Sequence, residues 1–362
     1  MKKYAWIIMA LLCGLSIESC DDDEITQEGG GHPDSSKPIP IIFDTDLGNC
    51  TDDALAMQAL FKLRQQGLCE VIGLMSNFQL EKGRELADRF LHYYKADDVP
   101  LGILPGEVTC FDMIPYYQLV DSLRADGTPL FPPTGIPLNQ RLPAWKLYRK
   151  LLSEAEEQSV VIVCIGMYTN LGQLLDSSPD EYSPLSGREL VSRKVKRLEA
   201  TGGCFAPVPL RYPSEEGKTE FLTVEYNVAG DIPMAKKVLE NWPTMLCLLP
   251  MEEGMKYPSN HDEVLADYAW QPDSPMYQIY SHYDEWAIGD VGQYWWDALV
   301  MLHAGLGEES FNCTRQGVLS ISDSGQTSFT LSEEGKAHII STNAEHTQSV
   351  YDWLRSLSQF KP

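Results

Sequence analysis

Positive charge is scarce in this chain. Its 28 lysines and arginines face 52 aspartates and glutamates, a formal net charge of −24. No basic patch stands out along its length, which speaks against a nucleic-acid partner, because a phosphate backbone would be repelled. Cysteine occurs nine times but never as a CxxC pair, so neither a zinc ribbon nor a disulfide scaffold is signalled. Cys69, Cys164 and Cys247 sit in or beside apolar runs and read as small core residues. Internal repeats are lacking, and no Pro/Gly-rich break divides residues 38–362. The expectation is one domain over that range, large enough to bury a sizeable core.

The first residues, MKKYAWIIMALLCGLSIESC, place two lysines before an apolar run and end it in small and polar residues. That is the layout of an export signal, too short for a stable membrane span. A cysteine where the signal ends resembles a bacterial lipoprotein signal. Residues 1–19 are therefore expected to be a signal peptide, with Cys20 lipidated and the chain exported to a periplasmic or cell-surface membrane. The other reading is an ordinary signal with an incidental cysteine. Residues 20–37 are polar, acidic and Gly-rich, as a flexible tether would be. Seven cysteines follow Cys20, an odd number that leaves at least one free thiol in an exported chain.

Short apolar runs at Ile39–Phe43, Val71–Met75, Val160–Ile165 and Met245–Leu249 read as strands buried on both faces. Helical patterns lie between them, at Asp53–Leu63, Leu86–Tyr94, Pro143–Glu154 and Pro233–Leu239. Strands alternating with helices predict an α/β fold with a doubly wound, mostly parallel sheet. Near the C-terminus, GVLSISDSGQTSFTL carries two alternating runs around Ser322–Gly325, a small β-hairpin.

The stretch IIFDTDLGNCTDDALAM holds Asp44, Asp46, Asp52 and Asp53 within ten residues. In open parallel sheets, ligands bind at the carboxyl ends of strands, and this acidic turn leaves a strand at that end. Thr51 can cap the next helix, and Asp52 and Asp53 would complement its dipole. That leaves Asp44 and Asp46 crowded against them. Clustered carboxylates raise one another's pKa unless a cation neutralises them. Hard oxygen ligands in an irregular loop suit Ca²⁺ better than Mg²⁺. A phosphatase of the haloacid dehalogenase type also begins with a strand and Asp-x-Asp. Such enzymes carry Thr or Val where this chain has Gly48, and they lack the following Asp-Asp.

DTDLGNCTDDALAM resembles the signature of the inosine–uridine-preferring nucleoside hydrolases, Asp-x-Asp-x-Gly, a short spacer, then Asp-Asp-Ala. The spacer Asn49-Cys50-Thr51 is of the longer form found in a divergent branch. Other pieces follow in the family's order: Ser76-Asn77, CIGMYTNLG (Cys164–Gly172), Thr201-Gly202-Gly203, VEYNVAGD (Val224–Asp231) and Trp296-Asp297. The resemblance implies that Asp46, Asp53, Asp297 and the main-chain carbonyl of Ile165 hold Ca²⁺. It implies Asp46 as general base on a metal-bound water, and Asp52, Asn77, Glu225 and Asn227 as grips on the sugar hydroxyls. The chemistry is coherent, since N-glycosidic cleavage passes through an oxocarbenium-like state that carboxylates stabilise. Asp44 is expected to shape the turn, and Thr169-Asn170 to cap the next helix.

Two departures bear on function, and one is that the family's usual Asn upstream of the Glu-Phe-Asn segment is not recognisable, with Leu222-Thr223 nearby instead. Trp296 stands where many members carry a histidine that protonates the leaving base, and it resembles the purine-preferring branch, where stacking holds the base. Core packing is the other reading of Trp295-Trp296. His282 and His303 are the nearest alternative acids, though nothing in the sequence aims either at the site. The expected activity is Ca²⁺-dependent hydrolysis of a nucleoside or related ribofuranosyl compound, releasing base and ribose. The alternative is a weakly active or inactive lipoprotein that serves as a binding or assembly component. Expected partners are a small nucleoside-like molecule, a membrane through Cys20 and, by resemblance, a second or further copies in a homodimer or homotetramer.

Overall fold

The strand after the tether is apolar because both of its faces are covered. β1 (Ile39–Thr45) alternates Ile41 and Phe43 into one core layer with Ile42 in the other. The first layer is filled by helices Thr51–Gln65, Glu81–Tyr93 and Trp296–Leu306. The second is filled by Ala144–Glu154, Thr169–Asp176, Gly187–Lys194 and Ile232–Asn241. The same alternation carries past the apolar run and decides where the polar residues point: Asp44 toward the second layer, Thr45 toward the first.

The computed structural model describes residues 37–105, 114–209, 221–286, 293–307 and 310–362. The expected export signal, Cys20 and its tether up to residue 36 lie outside the described residues, as does Cys110. Lys37–Pro362 form one compact unit, and among the described residues no helix is long and apolar enough to cross a membrane.

The remaining strands are β2 (Cys69–Ser76), β3 (Leu101–Ile103), β4 (Val160–Cys164), β5 (Val195–Thr201), β6 (Val208–Pro209), β7 (Phe221–Leu222), β8 (Met245–Leu249), β9 (Phe311–Cys313), β10 (Gly317–Ile321), β11 (Thr327–Leu331) and β12 (Ala337–Thr342). Ten of them form one sheet in the order β11-β10-β12-β8-β5-β4-β1-β2-β3, with β9 added to β12, while β6 and β7 pair separately. From β3 to β12 every neighbouring pair is parallel, and β9, β10 and β11 join antiparallel. The doubly wound sheet and the hairpin are thus as expected. Gly325, at φ +85°, closes the hairpin.

The chain winds outward from β1 in both directions, first to β2 and β3, later to β4, β5, β8 and β12. The switch falls between β1 and β4, and the carboxyl ends of those strands deliver Asp46 and Ile165 to one crevice. All four sequence-predicted helices form: Thr51–Gln65, Glu81–Tyr93, Ala144–Glu154 with Pro143 as its N-cap, and Ile232–Asn241 with proline in its first turn. Two capping expectations are overturned. Cys50, not Thr51, is the N-cap of its helix, and the Thr51 hydroxyl instead donates to Gln293 Oε1 at 2.9 Å. Tyr168 precedes the next helix as its N-cap, while Thr169 donates to Asp231 Oδ2 and Asn170 to Asp44 Oδ1.

Candidate active site

Asp44 is fully buried and holds the base of the acidic turn. Its Oδ1 accepts from Asn77 Nδ2 at 2.9 Å and Asn170 Nδ2 at 3.1 Å, and its Oδ2 from the Tyr148 hydroxyl at 2.9 Å. Burial nonetheless raises its pKa to about 7. As expected, this residue shapes the turn and does not line the cavity above it. One position on, Thr45 faces the other layer and donates to Asp53 Oδ1 at 2.5 Å. The turn is therefore tied down on both sides of the sheet before Asp46 emerges.

Two helices point their N-termini at this spot. Asp52 and Asp53 lie in the first turn of Thr51–Gln65, and Asp297 in the first turn of Trp296–Leu306. The positive ends of both helix dipoles favour carboxylates there. Carboxylate oxygens of Asp52, Asp53 and Asp297 come within 4.8 Å of one another, all three side chains buried. Asp46 flanks this trio, close enough for mutual repulsion with Asp52, Asp53 and Asp297. Burial, then neighbouring charge, pushes Asp46 up to about 7, and Asp53 and Asp297 well above the carboxylate range. Asp52 rises to about 6 by burial.

Four acids in one buried place fit a hard divalent cation. Asp52 Oδ1 is buried with no hydrogen-bond partner, an atom that a cation would satisfy. The Ile165 carbonyl lines the same cavity and accepts one bond, from Asn227 Nδ2 at 3.1 Å. A carbonyl oxygen has two lone pairs, so a second is left for a metal.

The cavity above the acids has a volume of about 370 Å³. Eight sequence-predicted residues line it together: Asp46, Asp52, Asp53, Ile165, Glu225, Asn227, Trp296 and Asp297. Glu225 caps a short helix, Tyr226–Gly230, by accepting from Asn227 N at 2.8 Å and Val228 N at 3.0 Å. Burial raises its pKa to about 7 against those bonds. Asn227 is fixed by a second bond, from its Nδ2 to Thr201 Oγ1 at 3.1 Å. Asn77 is not brought to the cavity wall. Its Nδ2 is spent on Asp44 and on the Met167 carbonyl at 2.9 Å, and its Oδ1 is buried without a partner.

The lining also has an apolar and aromatic part: Val208, Leu222, Tyr226, Met251, Met255, Tyr294 and Trp296. The tryptophan pair divides. Trp295 is buried and stacks on Tyr351 at 5.3 Å, whereas Trp296 lines the cavity, 4.9 Å from the Tyr294 ring. Trp296 Nε1 donates to the Met251 carbonyl at 2.8 Å. Among the described residues no histidine, lysine or arginine lines the cavity. His282 stacks on Trp286 at 4.7 Å, and His303 is bound to Glu199, so neither aims at the site.

Sequence reasoning missed Tyr226, Tyr294, Gln293 and the Met251–Met255 segment. Tyr226 sits inside VEYNVAGD between Glu225 and Asn227, and Tyr294 lies two positions before Trp296. Met251 and Met255 follow the carboxyl end of β8, and the strand-end rule that pointed to Asp46 points to them as well.

A model of the inosine-uridine preferring nucleoside hydrolase family matches residues 41–352. No curated protein matches the chain. Among solved structures, the fold is similar to that of an inosine-uridine preferring nucleoside hydrolase from Bacillus anthracis, with TM-score 0.59 and 16% identity over 89% of this chain and 99% of that one. A purine-preferring ribonucleoside hydrolase from Gardnerella vaginalis is similar at TM-score 0.63 and 13% identity, over 88% and 98% of the two chains. A plant nucleoside hydrolase is similar at TM-score 0.60 and 18% identity, over 89% and 99%.

Proposed function

Since the chain belongs to the inosine-uridine preferring nucleoside hydrolase family, we propose that its acid-walled cavity hydrolyses the N-glycosidic bond of a nucleoside, with Ca²⁺ as the metal and Asp46 as general base. The observation that carries this reading is the convergence of Asp46, Asp52, Asp53 and Asp297 on one cavity that aromatic side chains also line. Asp53 and Asp297, with the Ile165 carbonyl and Asp46, would hold the cation. Bound there, Ca²⁺ would lower the pKa of a water and orient vicinal hydroxyls.

Asp46 takes the proton from the attacking water as its oxygen bonds the anomeric carbon and the carbon–nitrogen bond breaks, the electron pair leaving on the base, which is protonated from solvent. The buried carboxylates favour the positive charge that develops on the sugar. Glu225, Asn227 and Asp52 bind sugar hydroxyls, the first two held rigid by the capping and Thr201 bonds described above. Trp296 and Tyr294 give the leaving base a surface to stack on. Asn77 acts indirectly, by bracing Asp44 under the turn.

The test is release of reducing sugar from a panel of purine and pyrimidine nucleosides by residues 38–362 in Ca²⁺. Release that is lost on Asp46→Ala and on EDTA treatment supports the reading. Sugar release that survives both changes would sink it, as would no release by protein shown to contain bound Ca²⁺.

A further inference from the structure

A second polar cluster lies in the core, away from the cavity. Glu199 on β5 is fully buried, and each of its oxygens has a different partner. Oε1 accepts from Arg197 Nε at 2.5 Å, and Oε2 lies 2.8 Å from His303 Nδ1. His303 belongs to the last turn of the Trp296–Leu306 helix, with its ring edge-on to Phe311 at 5.2 Å. With Nδ1 fixed on the carboxylate, Nε2 is turned to Cys313 Sγ, 3.6 Å away on β9. The other titratable groups on the packed strands are Lys196 on β5, Cys164 on β4, Cys247, in register with Glu199, and His338, whose Nδ1 lies 2.8 Å from the Thr314 carbonyl.

This order of groups, thiol to imidazole to carboxylate, is an arrangement that activates a thiol: a positive charge beside the sulfur, held in place by a third group. It is assembled from three elements far apart in sequence. The residue is half-buried, as is Cys50, whereas Cys69, Cys164, Cys204 and Cys247 are buried. We propose that Cys313 is an activated thiol whose thiolate is stabilised by the charged His303 imidazole and which a small peroxide oxidises to the sulfenic acid. The thiolate attacks one peroxide oxygen, the sulfur–oxygen bond forms and the oxygen–oxygen bond breaks. Sulfur loses two electrons, the peroxide is reduced to water, and the departing hydroxide takes a proton from the His303 imidazolium, which regains one from solvent.

The experiment is a pulse of iodoacetamide on the native full chain across about pH 6 to 8.5, with Cys313 followed by peptide mass spectrometry. An ordinary thiol, with a pKa near 8.5, slows about tenfold per pH unit below that value. For Cys313 the expected slope is shallower than threefold per unit, and His303→Gln is expected to restore the ordinary slope and slow labelling about tenfold near pH 6.5. Peroxide followed by a dimedone-type trap should mark Cys313. A tenfold-per-unit slope in the native chain overturns the proposal, as does a slope unchanged by His303→Gln or an untrapped Cys313. Should His303→Gln fail to fold, the slope of the native chain decides alone.

Discussion

The Trp296–Leu306 helix carries a buried polar cluster at each end, and the two are built on opposite principles. At its C-terminal end, Glu199 lies between Arg197 and His303, and the negative charge is met from within the chain. There the pKa of His303 rises to about 10, because attraction to Glu199 outweighs burial, and Glu199 is held below its ordinary value by His303 and Arg197 despite burial. At its N-terminal end, Asp297 joins Asp46, Asp52 and Asp53, and every one of them is pushed upward. A balanced cluster stabilises the fold it sits in. An unbalanced one lowers stability until something positive arrives, and such stored cost is characteristic of a functional site.

The largest effect expected from this contrast is on turnover. Asp46→Ala removes the proposed general base and should lower kcat by about a thousandfold, measured as reducing-sugar release, with the fold retained by circular dichroism. A smaller but still large effect is expected at the balanced end. Glu199→Gln leaves Arg197 and His303 without their counter-charge and should cost about 3 kcal/mol in urea unfolding. An equal loss of stability from Asp52→Asn in EDTA would break the comparison, since relieving repulsion among four acids should instead stabilise the metal-free protein by about 1 kcal/mol.

The same asymmetry fixes a pH dependence. The ordinary carboxylate pKa is near 4, whereas Asp52 titrates at about 6 and Asp46 and Glu225 at about 7 in the folded chain. The folded metal-free state thus binds more protons than the unfolded one. Its stability from these groups is full below about pH 4 and is lost as pH rises through 6 to 7. Ca²⁺ needs ionised ligands, so its stabilisation should grow over that window. Calorimetry with Ca²⁺ or EDTA should show the difference in Tm widening from about pH 5 to about pH 8, with a gain of about 2 kcal/mol at the upper end. A difference that is constant with pH would mean that these carboxylates do not meet the cation.

How far the two ends were legible in the sequence differs for a physical reason. The acidic turn was readable because Asp44 to Asp53 are close in sequence and leave an apolar strand. Asp297, Glu225 and Asn227 followed only through the ordered resemblance. The balanced cluster gave no signal, because Arg197, Glu199, His303 and Cys313 meet only through the sheet. Arg197 and Glu199 share the polar strand VKRLEAT, which lies inside the sheet with Glu199 fully buried. Asn77 erred the other way. It follows β2, where the resemblance implies a sugar contact, but the demand of buried Asp44 for donors draws its amide below the cavity.

The smallest predicted effect tests the aromatic wall of the unbalanced site. Trp296 lies directly against the helix Met251–Gly254: its Nε1 bonds the Met251 carbonyl, and a Cβ added at Gly254 would stand 1.7 Å from its Cδ1. No real contact is that short, so any side chain at Gly254 must push the indole out of its place. The backbone there is helical, and the substitution to alanine carries no conformational penalty of its own. Gly254→Ala therefore displaces Trp296 while leaving the four aspartates and Glu225 intact. If the indole stacks on the base, the loss should be about 1 kcal/mol, a roughly fivefold rise in KM with kcat less affected. Trp296→Leu should reproduce that rise, and the double variant should add little to either. A fall in kcat alone, with KM unchanged, would instead place the indole's contribution in the transition state.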